Sequence, residues 1–154
     1  MALSDLLSPD AIIPVLKANS KKQALQEIAE RTATLTGLQA RDVFDVLLQR
    51  ERLGSTGVGG GIAIPHGKIA RFDRLFALFA RLEKPIDFDA ADGQPVDLLF
   101  VLLAPETAGA DHLKALARVA RLMRDPLTIH KLRSTRDAAA LHTVLATQPT
   151  SNAA

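Results

Sequence analysis

Residues 96–104 form the most apolar run of the chain and constrain its fold more than any other stretch. They read Val-Asp-Leu-Leu-Phe-Val-Leu-Leu-Ala and are followed by Pro105. A run with a single polar residue predicts a strand that is buried on both faces, as in the centre of an α/β sheet. The run is far too short to span a bilayer as a helix.

Helix and strand patterns alternate along the rest of the chain. Residues 11–16 predict a first strand, and a helix should begin after Ser20 and stop at Gly37. Further helices are predicted at about residues 40–53, 113–123, 127–132 and 138–145, and short strands at residues 62–64 and 75–82. This alternation predicts an α/β fold with helices on both faces of the sheet. We expect one domain over residues 1–154, ordered from about residue 5 to 147, with a frayed C-terminal tail.

Composition excludes several classes of function. The chain has 154 residues, 47% of them hydrophobic, no cysteine and a net charge of +2. The missing cysteines remove disulfides and thiolate chemistry, and so small a charge implies no nucleic-acid or membrane field. No signal peptide is visible at the N-terminus, so we expect a cytoplasmic protein without membrane insertion.

A glycine-rich stretch marks the candidate site. Residues 50–68 carry five of the nine glycines before Pro65, and His66 follows directly. The spacing matches no P-loop, no nucleophile elbow and no dinucleotide fingerprint. The remaining reading makes His66 itself the reactive group, because a neutral imidazole is a competent nucleophile toward phosphorus. Glycine amides could hold the phosphoryl oxygens, and the predicted phosphate-binding loop consists of Ser55, Thr56, Gly57, Gly59, Gly60, Gly61 and Gly67.

Two other side chains have alternative readings. Arg50 continues the apolar stripe of the second helix by three residues from Leu47. It is either a cation at a helix C-terminus or a guanidinium aimed at phosphoryl oxygens. His112 follows the central strand and would lie beside His66 if strands 62–64 and 96–104 are parallel neighbours. The residues alone favour instead a solvated histidine in the first turn of a helix.

The sequence gives weaker support to two other kinds of site, one for zinc and one for nucleic acid. A zinc site built from His66 and His112 lacks a third ligand. The basic cluster of Arg118, Arg121 and Arg124 could contact nucleic acid, but its spacing is typical of a solvated helix edge. We therefore expect no metal and no nucleic-acid partner.

The motifs resemble a known family. Arg50-Glu51, Gly54-Ser-Thr-Gly57 and Gly61-Ile-Ala-Ile-Pro-His-Gly-Lys68 are similar to the phosphorylation site of IIA proteins of the bacterial phosphoenolpyruvate phosphotransferase system, mannitol/fructose type. The similarity continues through residues 85–88, 92–106 and 111–113, and it is greatest to the nitrogen-regulatory branch. Gly60 departs from the pattern, because the family commonly carries asparagine there.

The resemblance implies a five-stranded mixed sheet, mostly parallel, with helices on both sides. It implies that His66 accepts a phosphoryl group from an HPr-like phosphocarrier, that Arg50 neutralises oxyanion charge, and that His112 hydrogen-bonds the phosphoryl group or the His66 ring. No cofactor or metal is implied. The branch is regulatory, so its targets would be proteins such as sensor kinases or potassium transport components.

One alternative function stays open. A sugar-specific fructose or mannitol IIA component would pass its phosphoryl group to a IIB domain instead of regulating targets. In either case, partners should dock on an apolar rim near the site, which we expect to include Val58 and Ile69.

Overall fold

The apolar run forms the central strand of the sheet. In the computed structural model, which describes residues 3–147, strand β6 spans Val96–Pro105, and residues 98–104 are fully buried. Burial of consecutive residues means that both faces of the strand are covered, as the run predicted. The tail predicted to fray, residues 149–154, lies outside the described residues.

The sheet has six strands, so the expected number of five is wrong. The other strands are β1 (Ile12–Leu16), β2 (Gly57–Gly59), β3 (Ile62–Ala63), β4 (His66–Ile69) and β5 (Phe76–Ile86). Their order is β1-β5-β6-β3-β2, and β4 also pairs with β6. The sheet is mixed: β1–β5, β3–β6 and β4–β6 are parallel, whereas β2–β3 and β5–β6 are antiparallel.

The extra strand arises where Pro65 interrupts the chain. The strand predicted at residues 62–64 stops after Ala63, and a new strand starts at His66. Both pieces pair with β6 in one continuous register, because Ile62 lies opposite Leu98 and His66 lies opposite Leu102. Thus His66 begins a paired strand and does not lie beyond the end of one.

Within the described residues, five α-helices cover the sheet. They are α1 (Lys21–Thr36), α2 (Ala40–Arg52), α3 (Ala110–Leu122), α4 (Pro126–Ser134) and α5 (Ala138–Ala146). The Ser20 side chain accepts from the Gln23 N–H and caps α1, and Gly37 ends that helix in the left-handed conformation at φ +81°. Both end signals were readable in the sequence. Helix α2 packs on α1 and on β4, which places its C-terminus beside His66.

Candidate phosphoryl-acceptor site

The ring of His66 is held in one tautomer by the chain just before it. Its Nδ1 lies 2.7 Å from the carbonyl oxygen of Ile64. A carbonyl oxygen only accepts, so Nδ1 carries the proton and donates it. The lone pair is therefore left on Nε2, which makes Nε2 the nucleophilic atom of the ring.

The surroundings of His66 keep this ring neutral. Burial lowers the pKa of His66 below its ordinary value, and the positive charge of Arg50 lowers it further. The Ile64 carbonyl and the carboxylate of Glu51 act in the opposite direction but do not reverse the shift. At neutral pH the side chain is therefore an uncharged base.

His112 is buried beside His66, so the expectation of a solvated side chain is wrong. His112 is 7% exposed, and its ring centroid lies 5.9 Å from that of His66, with the ring planes tilted by 46°. Burial lowers the pKa of His112, and His66 and Lys68 add to that shift. Within residues 3–147, its Nδ1 has no hydrogen-bond partner although it is buried. The parallel pairing of β3 and β4 with β6 is what brings the two histidines to one end of the sheet.

Arg50 projects from the last turn of α2 and is half-buried. Its Nη1 donates to the carbonyl oxygen of Gly54 at 2.8 Å, which anchors the guanidinium across the end of the helix. Among the described residues it has no carboxylate partner at ion-pair distance. Its charge is therefore uncompensated, and it acts on His66, whose pKa it lowers.

Gly67 allows α2 to approach β4 closely. A Cβ built on Gly67 would lie 2.4 Å from Cγ1 of Val46. Because Arg50 is one helical turn beyond Val46, this contact sets how near the guanidinium comes to His66. Gly67, predicted as a loop residue, lies in β4 and packs against α2.

A buried ion pair that was not predicted from the sequence supports the C-terminal end of α2. Glu51 is 6% exposed, and its Oε1 lies 3.0 Å from Nζ of Lys21 on α1. The same carboxylate accepts the Thr56 N–H at 3.0 Å and also the Thr56 hydroxyl. Val43, Leu47 and Glu51 follow one another at intervals of four residues, which places Glu51 on the buried stripe of α2. This spacing is the signal that could have revealed the burial of Glu51.

The hydroxyls of Ser55 and Thr56 and the N–H groups of Thr56 and Gly57 all have hydrogen-bond partners. The Ser55 hydroxyl donates to the Phe88 carbonyl and accepts the Gly57 N–H, while Thr56 binds Glu51. These residues fix the loop against its surroundings, and the structure assigns none of these groups to the space beside Nε2 of His66.

Gly59, Gly60 and Gly61 are not brought to His66. They form the hairpin between β2 and β3. The next residue, Ile62, pairs with β6 four positions before the point where His66 pairs with it. Four strand residues span about 13 Å. The Gly60 N–H donates to Asp92, and its carbonyl accepts from Arg133 at 2.6 Å. The hairpin is therefore at the opposite end of the strand pair from His66.

Two exposed leucines flank the histidines. Leu53 is 85% exposed just after Arg50, and Leu113 is 67% exposed directly after His112. Val58 is also exposed, but Ile69 is only 3% exposed, so it cannot belong to a docking rim as expected. The alternation of β4 turns Ile69 into the core.

Within residues 3–147, no helix is long and apolar enough to cross a membrane. The same residues hold no group of three acidic, histidine or cysteine side chains placed to bind a metal ion.

Comparison with known proteins decides the family. Residues 5–148 match the family described as phosphoenolpyruvate-dependent sugar phosphotransferase system, EIIA 2. The chain belongs to that family. It is 63% identical over 149 residues to a nitrogen regulatory protein of Bradyrhizobium diazoefficiens, covering 97% of each chain.

Solved structures agree with this assignment. The crystal structure of the nitrogen regulatory protein IIA-Ntr from Neisseria meningitidis superposes with a TM-score of 0.88 at 35% identity, covering 93% of this chain and 98% of that one. Mannitol IIA from Escherichia coli gives a TM-score of 0.76 at 22% identity, covering 90% and 98%, which shows the shared fold alone. The predicted family, its nitrogen-regulatory branch and the mixed α/β fold are thus confirmed.

Proposed function

We propose that the chain is a cytoplasmic, regulatory phosphohistidine protein of a nitrogen-type phosphotransferase system, and that it takes its phosphoryl group on Nε2 of His66 from an HPr-like phosphocarrier. The observation that carries the proposal is the 2.7 Å contact between Nδ1 and the Ile64 carbonyl. It commits the proton to Nδ1 and so leaves an unprotonated Nε2, on a ring that lies beside the imidazole of His112 and within the electrostatic influence of Arg50.

The transfer step follows from this arrangement. The Nε2 lone pair of His66 attacks phosphorus, the N–P bond of the donor phosphohistidine breaks, and its electron pair returns to the donor ring. Arg50 stabilises the negative charge on the phosphoryl oxygens as the group passes between the rings. His112 adds a hydrogen bond to the phosphoryl group from the opposite side. Both rings that exchange the group are imidazoles, so the step is close to energetically balanced.

The output of the protein is a change in what it binds. Phosphorylation adds about 1.5 to 2 negative charges at His66. Partners that cover Leu53 and Leu113 with apolar or acidic surfaces would have to desolvate or approach that charge and are repelled. Partners that present arginine are recruited. Targets of the classes already expected, sensor kinases or potassium transport components, fit this scheme, and the relatives named nitrogen regulatory protein support it.

The acceptor test uses phosphoenolpyruvate, enzyme I and an HPr-like carrier. The protein should gain one acid-labile phosphoryl group, and ³¹P-coupled NMR of the imidazole should place it on Nε2. His66→Ala should gain none, whereas His130→Ala, which changes an exposed histidine on α4, should react normally. Uptake by His66→Ala, or a group on Nδ1, would contradict the proposal.

A docking test distinguishes the exposed leucines beside the histidines from the residues that carry out phosphoryl transfer. Leu53→Ser should weaken binding of the carrier, while Leu127→Ser, which changes a 61% exposed leucine on α4, should not. Equal effects of the two substitutions would place the carrier elsewhere.

The sugar-specific alternative makes a different prediction. If the chain is a fructose or mannitol IIA component, phosphorylated protein should pass its group rapidly to a IIB domain of that type. A regulatory protein should instead retain the group and show different affinities for a target in its two forms. Rapid transfer with unchanged target affinity would favour the alternative.

A further inference from the structure

A cavity lies at the opposite end of the molecule from the histidine pair. It has a volume of about 620 Å³ and opens between the β2–β3 hairpin and the segment from the end of α3 through α4. Its lining consists of Gly59, Gly60, Ile62, Met123, Arg124, Pro126, Ile129, His130 and Arg133. The volume is within the range of pockets that hold small organic ligands.

The lining combines an apolar interior with a basic border. Ile62, Met123 and Ile129 are buried and supply aliphatic surface. Among the described residues no acidic side chain lines the cavity, whereas Arg124 and His130 are exposed lining residues. Within the described residues, Arg124 has no carboxylate at ion-pair distance. The cavity therefore offers one uncompensated cation next to apolar surface.

Arg133 forms part of the cavity wall but contributes less positive charge than Arg124 does. Its Nε and Nη2 lie 2.9 Å from the two carboxylate oxygens of Asp97, and Nη2 also donates to the Gly60 carbonyl. Gly61, at φ +83°, makes room for this guanidinium, because a Cβ there would lie 2.4 Å from Nη2. The glycines at residues 59–61 thus shape this cavity. This role accounts for a part of the glycine-rich motif that the histidine site does not use. Because Asp97 neutralises Arg133, an incoming anion would meet Arg124 instead.

We propose that this cavity binds a small organic anion, with a carboxylate head against Arg124 and an aliphatic or aromatic body against Ile62, Met123 and Ile129. The charge of Arg124 favours an anion over a neutral ligand of the same shape and repels a cation, and the apolar interior disfavours an inorganic anion. Gly60 has nothing within 4 Å of the position its Cβ would take, so the entrance beside the hairpin is open.

The test uses straight-chain carboxylates from butanoate to octanoate as probes, with octanol as the uncharged match. Calorimetry should show saturable binding that strengthens about fourfold for each methylene until the cavity is filled. Amide NMR shifts should concentrate at residues 59–62 and 123–133. Octanol should bind about tenfold more weakly than octanoate.

Variants connect binding to the cavity and separate it from the histidine chemistry. Arg124→Gln should weaken octanoate binding about tenfold. Arg121→Gln, which removes the same charge one turn earlier on α3 and outside the cavity lining, should leave it unchanged. His66→Ala should bind as the unaltered protein does. Absence of saturable binding, equal affinity for octanol, or equal losses in the two arginine variants would overturn the proposal, whatever the phosphorylation assay shows.

Discussion

Replacing Gly67 with alanine tests whether close packing of α2 sets the activity of the site. The added methyl group would lie 2.4 Å from Cγ1 of Val46, well inside the 3.5–4.0 Å of a normal carbon contact. Valine in a helix is confined to one χ1 rotamer, so its methyl group cannot simply turn away. The helix must instead move outward by ~1 Å, estimated from that contact deficit.

The expected magnitudes follow from that displacement. Overpacking of this kind costs about 1–3 kcal/mol of the free energy of unfolding, partly offset by about 0.4–1 kcal/mol from replacing a glycine in the unfolded chain. Arg50 moves with α2, and a misplacement of about 1 Å can slow a reaction about 10²-fold. The Gly67→Ala protein should therefore be modestly less stable but accept phosphoryl groups far more slowly.

The assay is a double-mutant cycle with Val46→Ala, which removes the clashing methyl group. Urea denaturation gives the free energy of unfolding, and rapid-quench mixing with a phosphorylated carrier gives the transfer rate. Val46→Ala combined with Gly67→Ala should recover most of the lost rate. If the double variant transfers as slowly as Gly67→Ala alone, the close approach of α2 is not what positions Arg50.

Three further outcomes are expected. Glu51→Gln should lower the free energy of unfolding by about 3 kcal/mol in urea denaturation, because it removes one partner of a buried ion pair. Arg50→Lys should slow phosphoryl acceptance by ~10²–10³ in rapid-quench kinetics, since an ammonium lacks the planar fork, and His112→Ala should impair transfer without unfolding the protein. Both histidine pKa values are lowered by folding, so the unfolded chain binds protons more readily near pH 6. The free energy of unfolding should therefore rise between about pH 5 and pH 7.5, and the rise should shrink in His66→Gln.

Each of these outcomes has a matched comparison. Glu83→Gln removes an exposed carboxylate from β5 and should leave stability unchanged. Unimpaired transfer by Arg50→Lys and His112→Ala would reduce both side chains to structural roles. A free energy of unfolding that falls between pH 5 and pH 7.5, with a smaller fall in His66→Gln, would contradict the direction of the His66 pKa shift.

Much of the fold was readable because local signals and burial agree. The apolar run at residues 96–104 became the central strand, and the stop at Gly37 was confirmed. The neighbouring positions of His66 and His112 also followed from one assumption, that their strands are parallel neighbours on the sheet. That assumption holds, since β4 and β6 pair in parallel and bring the rings to 5.9 Å.

The missed features depend on contacts that are distant along the chain. The glycine run was assigned to phosphate binding, but Asp92 and Arg133 bind Gly60 in a hairpin at the far end of the strand pair from His66, and no local pattern reveals those partners. Burial of Glu51 requires Lys21, thirty residues earlier, as its partner. Burial of His112 similarly depends on packing that helical periodicity alone does not specify.

The antiparallel pairing of β5 with β6 has a consequence for the order in which the protein folds. These two long strands are joined by the short connection between Ile86 and Val96, so their pairing closes a small loop, whereas β1, β3 and β4 must join them from more distant parts of the chain. We expect the β5–β6 pair to be formed in the folding transition state and the acceptor strand to dock after it. Substitutions around His66 should then accelerate unfolding and leave the refolding rate nearly unchanged.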